Sequence, residues 1–257
     1  MARDALAVRM KDYENRAKTR LINKIPVIIR VDGRAFKTFT KNFVKPFDEL
    51  ITDSMQKTML YLCQNIQNCQ FAYTQSDEIT LVLCDYISDE ADAWFGNQVQ
   101  KITSISAAMA TWCFNKQMND TLLVGLLQKD NYSNYLDEIK KPAVFDARVF
   151  NLPIDEVVNC LIWRQCDAIR NSIRACGRTM YKHNELNEVS NTDLIEKMKN
   201  EYGFDWNTDV AISNQRGSCA YKVPKIISEG RTREKWCLDT EPPLFTLDRE
   251  YIERHIT

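Results

Sequence analysis

The chain has 257 residues, 44% of them hydrophobic and 27% charged, which suits one large or two small globular domains. Its formal net charge of −1 argues against a generic nucleic-acid coat protein, though not against a local basic face. No run of about 18 apolar residues occurs, so no membrane-spanning helix and no membrane partner are expected.

The first apolar segment, Ile25-Pro-Val-Ile-Ile-Arg-Val31, is β-branched and stops at Asp32-Gly33, as a buried strand ending in a turn would. Leu50, Ile51, Met55, Met59, Leu62 and Ile66 recur at helical spacing over residues 47–66. Two short β-rich runs at 69–74 and 79–84 flank Gln75-Ser76-Asp77-Glu78 and predict a hairpin. Phe95, Val99, Ile102, Met109 and Cys113 predict a helix over 91–115, and residues 144–150 read as another strand. This β-α-β-β-α-β order is the ferredoxin-like plan, in which the first and third strands lie side by side at the centre of an antiparallel sheet. Beyond Pro153, helices are predicted around 154–182 and 192–202, with a strand at 218–223 and a short helix at 248–255. The expected class is therefore α+β. Residues 1–150 are expected to form the core, and residues 151–257 a helical and mixed part packed upon it.

Scarcities narrow the chemistry. Seven glycines and no G-x-G-x-x-G or G-x-x-x-x-G-K motif mean that a phosphate site must be built without a glycine-rich cradle. Two histidines, His183 and His255, both in polar C-terminal sequence, leave little for histidine acid–base chemistry or zinc. Nine cysteines without a C-x-x-C pair, among them Cys63, Cys84 and Cys113, are expected to be reduced core residues of a cytoplasmic protein.

Asp32-Gly33 by itself is most simply an ordinary turn, and Asp77-Glu78 by itself a solvated hairpin tip. Together they gain weight, because the topology brings both acids to one end of the sheet. Paired carboxylates there, with the Gly33 carbonyl, suit two Mg²⁺ ions acting on phosphates. Arg34, Lys37, Lys41 and Lys45 follow within one short segment. They form either a solvated basic loop or a triphosphate cradle made of backbone N–H groups and a lysine. On the helix after Pro153, Ile162, Cys166, Ile169, Ile173 and Met180 are expected to form the buried stripe. Arg170, Arg174 and Arg178 then recur every four residues on the other face, a stripe suited to phosphates or an RNA backbone. Asp167 offers an acid partner to Arg170 or Arg174, and none stands at that spacing before Arg178.

At these residues the chain resembles the tRNA-histidine guanylyltransferase family. The resemblance is carried by Asp32-Gly-Arg-Ala-Phe-Lys-Thr-Phe39, Asn42-Phe-Val-Lys-Pro46, Gln75-Ser-Asp-Glu78, Phe145-Asp-Ala-Arg-Val149 and Trp163-Arg-Gln-Cys-Asp167, with weaker matches at Trp206-Asn207 and Gln215-Arg-Gly-Ser218. It implies a polymerase-palm-like core that adds nucleotides to the 5′ end of tRNA. A 5′-monophosphate is first activated with ATP, and the 3′-hydroxyl of the incoming nucleotide then attacks it. It implies Asp32, Asp77 and the Gly33 carbonyl as metal ligands, with Glu78 as a third acid of the catalytic motif. Gly33, Arg34, Phe36, Lys37, Lys45, Ser76 and Asn171 are implied on the nucleotide, and Lys101 near the RNA site with Arg170, Arg174 and Arg178. GTP, ATP or other nucleoside triphosphates are the implied ligands, and a homo-oligomer, commonly a tetramer, the implied assembly.

The eukaryotic members continue the Trp-Arg-Gln-x-Asp motif into a His-Ile-Asn-Asn-Leu-Tyr-Asn block. Here those positions read Ile169-Arg-Asn-Ser-Ile-Arg-Ala175, and a further histidine position is Lys37. The chain is thereby similar to the bacterial and archaeal guanylyltransferase-like branch, which implies template-directed repair of 5′-truncated tRNA. Three alternatives remain: a strict tRNA-histidine guanylyltransferase, a palm-type nucleotidyl cyclase that does not act on RNA, and a catalytically silent RNA-binding module. The wholly aliphatic character of the first strand, Arg30 apart, speaks against the last.

Overall fold

Val27–Gly33 (β1) is the strand around which the molecule is built, and its alternation places one side chain after another on opposite faces. In a computed structural model of the chain, which describes residues 2–127, 135, 137–228 and 231–257, β1 sits between two antiparallel neighbours. After a first helix Ala2–Arg16 (α1), the order is β1, a short turn of helix Phe36–Phe39 (α2), Glu49–Asn65 (α3), Cys69–Gln75 (β2), Glu78–Leu83 (β3), Val99–Leu127 (α4), Phe145–Asn151 (β4) and Ile154–Met180 (α5). Asn191–Tyr202 (α6), Trp206–Asp209 (α7), Ile212–Arg216 (α8), Ser218–Ser228 (β5), Arg231–Asp239 (β6) and Glu250–Ile256 (α9) follow. The six strands run in the order β4-β1-β3-β2-β5-β6, antiparallel throughout.

The expected core is thus present, with β1 and β3 adjacent at its centre. The C-terminal part is helical and mixed, as expected. Ser218–Ser228 and Arg231–Asp239 pair antiparallel and join the same sheet beside β2, with β5 running well past the expected strand and β6 unanticipated. The helix expected over 91–115 begins only at Val99 and runs to Leu127. Phe95, Gly96 and Asn97 lie in the left-handed region, which an α-helix of L-residues does not tolerate, so Phe95 sits outside the helix and is exposed.

Each face of the sheet has its own core. Val27, Ile29, Val31, Ile79 and Leu81 pack with Met55, Leu62 and Phe114 beneath α3 and α4. Ile28, Phe71, Tyr73 and Val82 pack with Val157, Leu161, Ile252 and Ile256 beneath α5 and α9. A third cluster joins Ile173 and Cys176 of α5 to Leu194, Met198 and Trp206. Cys63, Cys84 and Cys113 are free and buried, as expected. No helix among the described residues is long and apolar enough to cross a membrane.

The buried stripe of α5 needs correction. Cys166 is exposed and Ile162, Ile169 and Met180 are half-buried. The covered face instead contains Leu161, Arg164, Gln165, Ala168, Ser172, Ile173 and Cys176. Two strongly polar residues enter it because both are satisfied. Arg164 meets Glu78, and the Gln165 amide donates to Pro243 O while its carbonyl accepts from Phe245 N.

Gly217 connects α8 to β5 at φ 86°, where an added Cβ would stand 2.5 Å from the Tyr73 ring and 2.6 Å from the Thr74 carbonyl oxygen. Gly217→Ala is therefore expected to cost at least about 2 kcal/mol, measured by urea unfolding followed by circular dichroism.

Candidate active site

β1 ends in Asp32-Gly33, and its register sets Asp32 opposite Glu78 of β3 on one side and Asp146 of β4 on the other. The β2–β3 hairpin turns on only two residues, Ser76 and Asp77, between the paired Gln75 and Glu78. Ser76 takes a φ of 50°, a conformation costly for a residue other than glycine, asparagine or aspartate. Its hydroxyl donates to the Asp77 carboxylate at 3.0 Å. The two turns touch directly, since Gly33 N donates to Asp77 O at 3.0 Å. Gly33 is needed for that approach: a Cβ there would fall 2.5 Å from the Phe36 ring and 3.0 Å from Asp77 Cβ. The sheet therefore brings Asp32, Gly33 and Asp77 together, as the paired motifs predict.

Charge at this end is left largely uncompensated. Burial holds the Asp77 carboxyl above the usual carboxylate range, the negative charges of Asp32 and Glu78 add to the rise, and the Ser76 hydroxyl opposes it. Arg148 approaches Asp32 at 3.8 Å and Asp146 at 3.6 Å, but its side chain is half-exposed and the pairing loose. Two carboxylates that repel each other beside a backbone carbonyl suit a hard divalent cation that completes its shell with water and substrate phosphates. Among the described residues no group of three or more histidine, cysteine or acidic side chains is placed to hold a metal ion.

Glu78 is engaged differently from Asp32 and Asp77. Its carboxylate accepts Arg164 Nε at 2.7 Å and Arg164 NH2 at 2.8 Å, both partners being buried. Arg164 also reaches Asp167 at 3.1 Å. This bidentate pair spans from the β2–β3 hairpin to α5 and occupies the oxygens that Glu78 would otherwise offer to an ion.

A cleft opens beside the hairpin. Phe36, Lys45, Ser76 and Asn171 line it. Lys45 Nζ donates to Thr40 O at 2.6 Å and remains exposed. Arg34 and Lys37 are exposed on the α2 turn and do not line the cleft. Asp48 shapes the near wall: it caps α3 through Leu50 N and also accepts from Val44 N and the Tyr135 hydroxyl. The far wall is built by the weaker motifs. The Gln215 amide donates to Trp206 O, Asn207 O and Val210 O, and the Tyr73 hydroxyl to Arg216 O. Asn214 and Ser218 thereby reach the cleft, where Thr52 Oγ1 donates to the Asn214 side chain and Gln56 to the Ser218 hydroxyl. Thr52, Gln56 and Asn214 escape a sequence reading because no periodicity or motif marks them, whereas Ser218 closes the weaker match Gln215-Arg-Gly-Ser218.

The arginine stripe of α5 is not a uniform free face. Arg170 pairs with Asp167 at 2.7 Å, and Arg174 is spent on the carbonyls of Leu186 and Val189. Arg178 is exposed and has no ion-pair partner among the described residues. Lys101 lies within the first turn of α4, over the Phe95 ring. Thr111, ten residues on, bonds Phe145 at the start of β4. At 1.5 Å per helical residue Lys101 is about 15 Å further from the acid end, so this chain does not bring it to Asp32.

A family model described as tRNAHis guanylyltransferase (Thg1) matches residues 7–153. The structure superposes on that of a bacterial tRNA(His) guanylyltransferase (Thg1)-like protein in complex with ATP with a TM-score of 0.84. The two are 36% identical, over 98% of this chain and 99% of the other. A bacterial Thg1-like protein in complex with GTP gives a TM-score of 0.79 at 35% identity, over 98% and 99% of the two chains. A probable tRNA(His) guanylyltransferase of Dictyostelium discoideum is 25% identical over 217 residues, 79% of this chain and 78% of its own.

The two acids of the hairpin should separate by mutation. Glu78→Ala leaves Arg164 buried without its partner and is expected to cost about 3–5 kcal/mol in urea unfolding. Asp77 behaves oppositely. Its raised carboxyl means that the folded state holds the proton more tightly, so stability from this group is lost as pH rises from the ordinary carboxylate value through its own. Metal-free Asp77→Asn should accordingly melt above wild type at pH 7, and the difference should close below about pH 4.

Proposed function

The chain belongs to the tRNA-histidine guanylyltransferase family and is a nucleotidyltransferase; we propose that it extends 5′-truncated tRNAs at the 5′ end, choosing each nucleotide by pairing with the opposite strand. The observation that carries this reading is the acid pair Asp32 and Asp77 set beside a cleft lined by Lys45, Ser76 and Asn171. One partner of the acids is the triphosphate of the incoming nucleotide, which Lys45 meets as a point charge and the Ser76 hydroxyl as a hydrogen-bond donor. The other is the 5′-phosphate of the RNA, first activated by ATP with loss of pyrophosphate. The 3′-hydroxyl of the incoming nucleotide then bonds to that phosphorus, AMP leaves, and the hydroxyl proton passes to solvent. Asp32, Asp77 and the Gly33 carbonyl are the groups that would hold two Mg²⁺ ions. When bound, these ions supply positive charge to the phosphates and acidify the attacking hydroxyl.

Pairing as the source of selection is supported by what stands where eukaryotic members carry histidine. Ile169 is an apolar residue packed against the cluster of Ile173, Leu194 and Met198, and offers no group to read a base. Arg178, exposed and without an ion-pair partner among the described residues, remains a candidate for the RNA backbone. Arg170 and Arg174 reach RNA only by leaving Asp167 and the Leu186–Val189 carbonyls.

The test uses tRNAs shortened by one 5′ nucleotide, with the opposing base set in turn to C, U, G or A. Incorporation is expected to follow the complement each time, to require Mg²⁺, and to vanish in folded Asp32→Ala and Asp77→Ala proteins. Addition of G whatever the opposing base, on tRNA-histidine alone, would replace this reading with the strict guanylyltransferase. GTP incubated without RNA is expected to give no cyclic product. Lys45→Ala should raise KM for the nucleotide about tenfold or more and leave KM for tRNA unchanged.

A further inference from the structure

The sheet face beneath α5 is covered unevenly. Over β2 and β3 it is sealed by Leu161, Phe245 and Ile252. Toward the edge strand β4 the cover stops, and Asp146 and Arg148 are exposed. Trp163 of α5 stands at the margin of this opening with 52% of its surface exposed, an unusual exposure for the largest side chain. It is held over the sheet by two cations, since Arg30 Cζ lies 5.7 Å from its ring and Arg164 Cζ 4.5 Å. Arg30 pairs in register with Arg148 of β4, so two guanidinium groups share the floor of the opening. Asp32 is two residues further along β1 on the same face, about 7 Å away. Among the described residues the Arg30 guanidinium has no ion pair, and its Nε has no hydrogen-bond partner.

We propose that this opening is the lane by which RNA reaches the acid pair, with Trp163 as the platform on which the 5′-terminal base stacks. The proposal rests on the reading of the protein as a nucleotidyltransferase acting on RNA 5′ ends. An aromatic face flanked by arginines takes any base, because stacking needs only a π surface and the cations meet the phosphates on either side. Charge argues for the same occupant. A polyanion entering beside Asp32, Asp77 and Asp146 is repelled unless cations stand along its path, and Arg30 and Arg148 stand there. The nucleotide cleft opens on the other side of the hairpin, along Lys45 and Ser76. Incoming nucleotide and RNA end thus approach the same two carboxylates from different directions.

The experiment uses tRNA lacking its first nucleotide, with 2-aminopurine as the new 5′-terminal base and a 5′-monophosphate. Binding to the full-length protein should quench its fluorescence, and Trp163→Ala should abolish most of that quenching and raise KM for the RNA about tenfold. KM for the nucleoside triphosphate should stay unchanged, and Trp163→Phe should restore much of the RNA affinity. Arg148→Gln, a second variant independent of the tryptophan, should flatten the salt dependence of RNA binding by up to about one log unit per log unit of salt. Equal quenching and equal KM in wild type and Trp163→Ala would overturn the platform, even with nucleotide addition intact. Absence of quenching in wild type would overturn it as well. Quenching that depends on Trp163 in a protein that adds no nucleotide would uphold the platform and sink the assigned reaction.

Discussion

Arg164 keeps its charge in a place where water hardly reaches it, because Glu78 accepts two hydrogen bonds from its guanidinium and Asp167 a third. A buried charge left alone costs several kcal/mol, so neither partner is free to move without the other. Glu78 is the residue after Asp77, and Arg164 lies on the helix whose next two turns carry Ala168 and Asn171 into the cleft. The pair therefore fixes the distance between the acid hairpin and the nucleotide-binding wall. The fork geometry of arginine makes it directional, which a lysine at the same place would not be. Of the three acids in the motif, Glu78 is thus a fastening, while Asp32 and Asp77 are not held by such a bidentate pair.

The same end of the sheet stores conformational cost. Ala35 and Ser76, both non-glycine, lie in the left-handed region on the two turns that meet across Gly33 and Asp77. Asp77 is pushed toward protonation by burial and by its acidic neighbours. These unfavourable features concentrate where the antiparallel sheet ends and are tolerated because the apolar side chains of β1, β2 and β3 behind them are buried on both faces. Such a surplus of negative charge is relieved by any cation that approaches it, which is the physical basis of the proposed metal site.

The far wall of the cleft comes from residues more than one hundred positions after the acids. Gln215 ties the α7–α8 turn together by three backbone carbonyls, Trp206 Nε1 donates to the Ser172 hydroxyl, and β5 docks on β2. The C-terminal segment is accordingly part of one sheet and one site with the core, and not a separate attachment. Removing it would expose Phe71 and Tyr73 of β2, both fully buried.

Much of this was legible in the residues themselves. Apolar alternation in β1, helical spacing in α3 and the two β-rich runs around Gln75–Glu78 are local signals, and the ferredoxin-like order follows from them with Asp32 and Asp77 at one end. Family motifs added Lys45, Ser76 and Asn171, which the cleft brings together. The roles of the remaining charged groups depended on contacts between segments far apart in sequence. Glu78 looks like Asp77 in a string of letters and differs only because Arg164 reaches it from 86 positions away. Cys166 and Ile162 look more apolar than Arg164 and Gln165, yet the partners of the latter two on other elements decide which face of α5 is buried. Arg174 reads as a free phosphate contact until two backbone carbonyls claim it. The sequence by itself determined the strands and helices of the ferredoxin-like core, the start of α4 apart, and which end of the sheet is acidic, because those follow from periodicities within a few residues. Only the tertiary structure decided which charges are spent on one another and which stay open to a ligand, because pairing depends on distances that no local pattern encodes.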